Sequence, residues 1–229
     1  MQTALNIETA MTLYNLFVAA SFLTGILSLL LSLIVYLRSP KSAVHRKWSL
    51  TTFFVGVWSF ALFIVIIPNS YRTAFTAQLI LNSAAAFIPA LYYDFILAFL
   101  QKRELSWSRW YLYLISASIV LTNFFGNAIL DMRPFQGFAH WIVPGPSYFF
   151  LPLLFLIVFI GVLGLLVDAM MRSAGFQKKQ IIVVLIATLI GFGSGMTNFL
   201  PQLFGVYPFG NFFTWAYVVA ISFLLFKEN

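Results

Sequence analysis

The run YFFLPLLFLIVFIGVLGLLVDAMM, from Tyr148 to Met171, decides the structural class of this protein. Its only charged side chain is Asp168, which stands close to the end of the run. About 20 consecutive apolar residues in a helix cross the ~30 Å hydrocarbon core of a bilayer, and this run exceeds that length. A strand of a membrane β-barrel would alternate apolar and polar residues, so this continuous run is predicted to be a membrane-spanning helix.

Six further apolar runs occupy most of the remaining chain. Of the 229 residues, 62% are hydrophobic and only 8% are charged, which leaves too few polar side chains to cover a soluble domain of this size. The predicted spans are 14–37, 48–67, 77–100, 110–130, 148–171, 181–200 and 207–226. The sequence therefore predicts an all-α membrane protein, with residues 1–229 forming one domain built as a seven-transmembrane helix bundle.

Lysine and arginine are distributed unevenly between the two sides of this bundle. Of the 13 basic residues, ten lie in the loops after spans one, three and five, and an eleventh follows span seven. These are Arg38, Lys41, Arg46, Lys47, Lys102, Arg103, Arg109, Arg172, Lys178, Lys179 and Lys227, whereas Arg72 and Arg133 lie on the other side. Because basic loops stay in the cytoplasm, the N-terminus is predicted outside the inner (plasma) membrane and the C-terminus inside. The net charge of +7 then reflects topology and contact with anionic lipid, and requires no nucleic-acid partner.

Residue types that carry most catalytic and metal chemistry are sparse. The chain has no cysteine and two histidines, and neither His45 nor His140 has a second metal ligand at a suitable spacing. No Ser–His–Asp set or nucleophile elbow is present. The glycines of GFGSG (191–195) lie inside an apolar span, which favours close helix packing over a phosphate-binding loop. We therefore expect no metal, no cofactor and no enzymatic activity in this chain.

Amides and aromatic residues gather near the outer ends of the spans, where a simple membrane helix would be apolar. The long outer connection between spans four and five is predicted to form an ordered cap or a short interfacial segment. Together they predict a pocket for a small, partly apolar ligand. Its predicted residues are Asn123, Asn127, Arg133, His140, Asn198 and Trp215. The alternative is that the amides only form hydrogen bonds between helices.

Asp94 is the one charged residue in FIPALYYDFILAF, from Phe87 to Phe99. It precedes the end of its span at Leu100 by six residues, or ~9 Å of helix. An unpaired carboxylate in a membrane costs up to ~3 kcal/mol, so Asp94 is expected to turn inward to a hydroxyl, a backbone amide or a base. The base would come from the inner end of span two, five or six, with Lys178 and Lys179 as the nearest candidates. Two roles stay open, a structural anchor and a switch that breaks when a signal arrives.

Three stretches resemble the N-terminal seven-transmembrane sensor region of bacterial histidine kinases. They are FFVGVWSFALF in span two, AAFIPALYYDFILAFLQKRE in span three and KKQIIVVLIATLIGFGSGMTNFLPQLFGVYP around span six. The resemblance implies a membrane receptor domain that senses a signal and controls a cytoplasmic output module in a two-component system. It implies no particular ligand residues.

The chain ends at LLFKEN, where that family usually continues into a signalling helix, a phosphoacceptor histidine and a kinase domain. The sequence therefore describes either a sensor region separated from its output or a free-standing relative that works through a partner or as a homodimer. A small transporter or channel is the alternative function. It would require a continuous polar path with paired ionisable groups across the membrane.

Overall fold

The computed structural model describes residues 2–105 and 107–227, and seven helices dominate it. They are α1 (Gln2–Arg38), α2 (Ala43–Ile66), α3 (Tyr71–Phe99), α4 (Ser108–Phe125), α5 (Phe150–Arg172), α6 (Gly175–Phe204) and α7 (Asn211–Phe226). Helices α1, α2, α3, α5 and α6 are long and apolar enough to cross a membrane, whereas α7 is shorter and α4 falls outside this group. The predicted all-α membrane bundle is confirmed, and the seven crossings stay a prediction.

Serine caps fix where α2 and α3 begin. Ser42 Oγ accepts a hydrogen bond from the backbone N–H of His45 at 3.4 Å, and Ser70 Oγ accepts one from that of Thr73 at 3.1 Å. Each bond satisfies a backbone donor that the first helical turn leaves without a partner. The loops before these caps are only a few residues long, so α1, α2 and α3 pack as antiparallel neighbours.

Contacts between helix ends bring the basic loops together at one end of the bundle, which we call the basic end. The guanidinium group of Arg38, at the end of α1, donates to the carbonyl of Phe226 at the end of α7 (3.0 Å). Lys47, Asp94 and Arg109 join the start of α2, the last turns of α3 and the start of α4. Neighbouring helices therefore alternate in direction, as the positions of the predicted spans require.

A β-hairpin closes the opposite end, which we call the hairpin end. Strand β1 (Ile129–Phe135) pairs antiparallel with β2 (Phe138–Pro144) around a turn in which Gln136 and Gly137 both have positive φ. The prediction that span four continues to Leu130 is wrong at its end, because α4 stops at Phe125 and Leu130 belongs to strand β1 of the hairpin instead. The ordered cap expected in this connection is the hairpin.

Helix α6 is irregular in its second half. Residues Thr188–Phe192 form a π-helical turn, Thr197–Phe199 form a 3₁₀ turn, and a last helical piece continues to Phe204. The predicted end of this span at Leu200 is therefore too early. Pro201 does not stop the helix because it occupies the first turn of the last piece, where its missing N–H group costs nothing.

Four aromatic side chains from three helices pack together inside the bundle, and we call them the aromatic layer. Its members are Trp48 of α2, Tyr92 and Phe95 of α3 and Tyr217 of α7, all of them buried. The Trp48 ring centroid lies 4.9 Å from that of Phe95 and 5.9 Å from that of Tyr217. Gly191 of α6 packs directly against this layer, since an added Cβ there would lie 2.1 Å from the Tyr217 ring. For Gly191, the close helix packing predicted for GFGSG is confirmed.

Candidate functional site

A largely apolar cavity lies beneath the hairpin, between α2, α3, α5, α6 and α7. The space in it that the centre of a water-sized sphere can occupy is about 50 Å³, and we call it the hairpin-end cavity. Apart from two tyrosines, its lining includes four amide or hydroxyl side chains among aromatic and aliphatic walls: Gln78, Asn198, Gln202 and Thr214. A mostly apolar cavity with a few fixed polar groups is the usual form of a small-molecule site.

Asn198, in the wall of the hairpin-end cavity, has a buried hydrogen-bond acceptor with no partner among the described residues. Its Nδ2 donates to the backbone carbonyl of Gly195 at 3.1 Å. Its Oδ1 is buried and accepts no hydrogen bond from any residue in the ranges that the structure describes. A buried acceptor without a partner costs about 1–3 kcal/mol, and a donor on a bound molecule would remove that cost.

Gln202 ties the hairpin to α6 at the cavity wall. With its amide turned so that donors face acceptors, it donates to the carbonyls of Asn198 and Phe199, each at 3.0 Å. Its Oε1 then accepts from the indole N–H of Trp141, in β2, at 3.2 Å. A displacement of α6 near Gln202 would therefore move or break its hydrogen bond to Trp141 in the hairpin.

Asn123 is connected to the cavity only through a chain of amides. Gln78 Nε2 donates to Asn82 Oδ1 at 2.8 Å, and Asn82 Nδ2 lies 3.5 Å from Asn123 Oδ1. The three side chains are buried between α3 and α4. This arrangement matches the alternative that the amides bond to one another between helices, with Gln78 as the member that reaches the cavity.

Two other predicted ligand residues lie on the outside of the bundle. Asn127 is exposed in the segment after α4, where its Oδ1 accepts from the hydroxyl of Ser147 at 2.5 Å. Trp215 is 47% exposed, and its indole N–H donates to the carbonyl of Phe212 within α7. Neither side chain lines the hairpin-end cavity.

Arg133 and His140 belong to the hairpin and fasten it instead of lining the cavity. Arg133 Nε lies 2.9 Å from Asp131 Oδ2, and Asp131 Oδ1 accepts from the hydroxyl of Tyr71 at the start of α3 (3.1 Å). The Arg133 guanidinium, followed by the N–H of Met132 and the Tyr71 hydroxyl, holds the pKa of Asp131 below its ordinary value. His140 Nε2 lies 3.0 Å from the carbonyl oxygen of Asn69, just before α3. The two residues thus secure the cap over the bundle.

The structure therefore places only Asn198, of the six predicted ligand residues, in the cavity wall. Three other residues line the hairpin-end cavity although the sequence pattern did not indicate them: Gln78, Thr214 and Trp141. Gln78 could have been selected from the sequence in the same way as Asn198, because each is an amide residue inside an apolar run. Which of several such residues faces a cavity depends on the rotation of each helix, which the apolar runs do not determine.

A second cluster surrounds Asp94 at the basic end. Asp94 Oδ1 lies 2.6 Å from Lys47 Nζ and 3.4 Å from an Arg109 guanidinium nitrogen, while Oδ2 accepts from the hydroxyl of Tyr113 at 3.2 Å. The Asp94 side chain is 10% exposed. The carboxylate has therefore turned toward basic partners inside the bundle, one of them at the start of α2.

The prediction that Lys178 and Lys179 are the nearest bases to Asp94 is wrong. Both stand at the start of α6, which packs against α5 and α7, whereas α3 packs against α2 and α4 at this level. The partners are consequently Lys47 of α2 and Arg109 of α4. Arg109 was counted as a loop residue in the sequence, but it lies in the first turn of α4.

A protein-family model described as the N-terminal 7TM region of histidine kinase matches residues 20–227. The match extends from the middle of α1 to the end of α7. This chain belongs to that family. The 7TM region is the membrane-embedded, non-catalytic sensor part of a histidine kinase, so the chain is a multi-pass membrane sensor domain. Membership also implies a cytoplasmic kinase module. No curated protein and no solved structure matches the chain.

Proposed function

We propose that this 7TM region senses a small, largely apolar molecule in the hairpin-end cavity and signals through α6 and α7 to a cytoplasmic histidine-kinase module. The molecule would carry one hydrogen-bond donor, and Asn198 Oδ1 would accept the hydrogen bond from it. In this proposal the hairpin end faces outward, as the basic loops at the other end indicate.

The observation that carries the proposal is that the irregular part of α6 forms the cavity wall. Gly191 and Phe192, at the end of the π-helical turn, line the cavity, and so does Asn198 after the 3₁₀ turn begins. A π-helical turn interrupts regular helical hydrogen bonding and commonly marks functional positions in helices. A molecule in the cavity would contact the segment of α6 that can change its hydrogen-bonding pattern most readily.

The aromatic layer provides a route from the cavity to α7. Tyr217 lines the cavity and packs against Trp48, whose indole N–H donates to Ser222 Oγ of α7 at 2.9 Å. Tyr92 is hydrogen-bonded to Thr188 in the π-helical turn at 2.6 Å. Rearrangement around Tyr217 would therefore reach the half of α7 that leads to the basic end, through which the proposed signal to the kinase module would pass.

The same layer argues against a channel or carrier. Trp48 lies one residue further from the basic end than Lys47, and Tyr92 lies two residues further than Asp94. Both aromatic side chains are at most 1% exposed. A transport path from the hairpin-end cavity to the Asp94 cluster would have to pass these buried aromatic side chains.

Filling the cavity tests the proposal. Gly195 lines it, and an added Cβ there would meet no atom within 4 Å, so Gly195→Leu should occupy the ligand space without displacing the backbone. In a chain fused after Asn229 to a histidine-kinase module and reconstituted in vesicles, we expect this variant to change basal autophosphorylation several-fold. The matched control is Gly164→Leu, at an exposed position of α5 that also has open space. Equal autophosphorylation in both variants, with both folded, would overturn the proposal.

A further inference from the structure

A second cavity opens at the basic end between α2, the end of α3 and the start of α4. The space in it that the centre of a water-sized sphere can occupy is about 400 Å³, and we call it the basic cavity. The charged side chains that line it are Lys47, Asp94, Lys102, Arg103 and Arg109. Four bases facing one carboxylate leave an excess of three positive charges in a single cavity.

These charges are partly removed from water. The side chains of Lys47, Lys102 and Arg109 are 24%, 30% and 29% exposed. Asp94 already shares its carboxylate between Lys47 and Arg109. Bringing several cations together while reducing their hydration is unfavourable unless an anion joins them.

The carboxylates near the rim compensate for this excess only weakly. Lys102 Nζ lies 3.8 Å from Glu104 and 3.9 Å from Asp168, whose side chains are 64% and 40% exposed. Long ion pairs to exposed carboxylates contribute little. Arg103 makes no ion pair with any side chain described in residues 11–105 or 107–227.

The end of α3 is shaped so that its bases border the cavity. Gln101 has a φ of 55°, a left-handed conformation that favours glycine, although it is not a glycine. This turn lets the N–H of Lys102 bond back to the carbonyl of Leu97 at 2.9 Å, which closes the helix. The chain therefore reverses at this point, and Gln101, Lys102 and Arg103 all line the cavity.

Exposed aromatic residues mark the level of the cavity mouth. Trp107, Trp110 and Tyr111 are 61%, 64% and 62% exposed at the start of α4. The Arg109 guanidinium carbon lies 5.3 Å from the Trp110 ring centroid. Exposed Trp and Tyr side chains beside bases are typical of the headgroup region of a bilayer, with the aromatic surface available to acyl chains.

We propose that the basic cavity binds the phosphate-bearing headgroup of an anionic membrane lipid. The phosphate is held by Lys102 and Arg103 together with the free hydrogen-bonding capacity of Lys47 and Arg109, and an acyl chain lies along the aromatic face of α4. The site lies beyond the aromatic layer from the hairpin-end cavity and does not depend on a ligand there.

The test is thermal unfolding of the detergent-purified chain during titration with phosphatidylglycerol, phosphatidylcholine or inorganic phosphate. We expect phosphatidylglycerol to raise the unfolding temperature saturably. Phosphatidylcholine should act at several-fold higher concentration, because its choline cation meets the same positive charges. The double variant Lys102→Gln/Arg103→Gln should weaken the phosphatidylglycerol effect at least fivefold. This variant keeps Lys47, Asp94 and Arg109, so the contacts among these three residues should still hold α2, α3 and α4 together.

The matched control removes the same charge from the same end of the bundle. Lys178→Gln/Lys179→Gln lies at the start of α6, outside the basic cavity, and should respond to phosphatidylglycerol like the unchanged chain. If both double variants weakened the phosphatidylglycerol effect equally, the effect would come from general surface charge, and the proposal would be overturned. An effect of inorganic phosphate that equals that of the lipid, and that is lost only in Lys102→Gln/Arg103→Gln, would support the phosphate site and assign it to a soluble phosphate.

Discussion

Lys47 Nζ lies 2.6 Å from Asp94 Oδ1 and ties the start of α2 to the last turns of α3. Arg109 approaches the same carboxylate oxygen from α4, so one side chain connects three helices. The sequence predicted that Asp94 would turn to a base on a neighbouring helix, and Lys47 and Arg109 are such bases. These contacts fit a structural anchor and also a switch that breaks when a signal arrives, so both roles stay open.

We expect Asp94→Asn to destabilise the protein by about 1–3 kcal/mol, because it leaves Lys47 and Arg109 partly buried without their carboxylate. The measurement is the thermal unfolding temperature in detergent. Asp168→Asn is the control, since Asp168 is 40% exposed and its 2.6 Å contact with Arg172 is at the surface. Unchanged stability of Asp94→Asn, combined with altered output in a receptor–kinase fusion, would show that Asp94 is a switch instead.

Gly191→Ala should lower the unfolding temperature markedly. The added methyl group would lie 2.1 Å from the ring of Tyr217, so α6 and α7 would have to move apart, at a cost of about 1–3 kcal/mol. Gly195→Ala, one turn along the same helix with open space around its Cβ, should leave stability unchanged or slightly improved. Equal unfolding temperatures for the two variants would contradict the close packing of α6 on α7.

Acid should loosen the hairpin from α3. The pKa of Asp131 is lowered by Arg133, by the N–H of Met132 and by Tyr71, so the ionised form is favoured in the folded state. Its contribution is fully present above the ordinary value of 3.8 and is lost as the pH falls through the lower pKa of the folded state. Hydrogen exchange of the hairpin amides between pH 6 and pH 3 measures the change.

Asp131→Asn provides the control for the acid effect. It should weaken hairpin protection at pH 6 and remove most of the additional loss between about pH 4 and pH 3, because no carboxylate is left to protonate at this position. An unchanged pH profile in this variant would assign the loosening to other groups.

The orientation can be tested with reporters at the two ends of the chain. Eleven of the 13 basic residues predict that a reporter fused after Asn229 lies in the cytoplasm and that one placed before Met1 lies outside. Replacing the lysines and arginines of the first basic loop by glutamine should weaken this preference. Finding both reporters on one side would mean an even number of crossings and would refute the seven-span arrangement.

The sequence by itself determined the class of the protein and the approximate position of each helix. Run length and apolar composition are properties of a contiguous segment, and a membrane helix satisfies its backbone hydrogen bonds within that segment. For the same reason the runs placed Asp94 near the inner end of α3 and Asn198 near the outer end of α6 without any knowledge of neighbouring helices. The resemblance to the histidine-kinase sensor region was also visible in these segments and is confirmed by the family match.

Only the tertiary structure decided which helices are neighbours and which face each one turns inward. Lipid is as apolar as the helix surfaces, so packing and hydrogen bonds between residues far apart in sequence select the neighbours. Asp94 therefore meets Lys47 and Arg109 instead of Lys178, and Gln78 reaches the hairpin-end cavity while Trp215 does not. The hairpin, the π-helical turn and both cavities arise from those long-range contacts, which is why the apolar runs alone did not predict them.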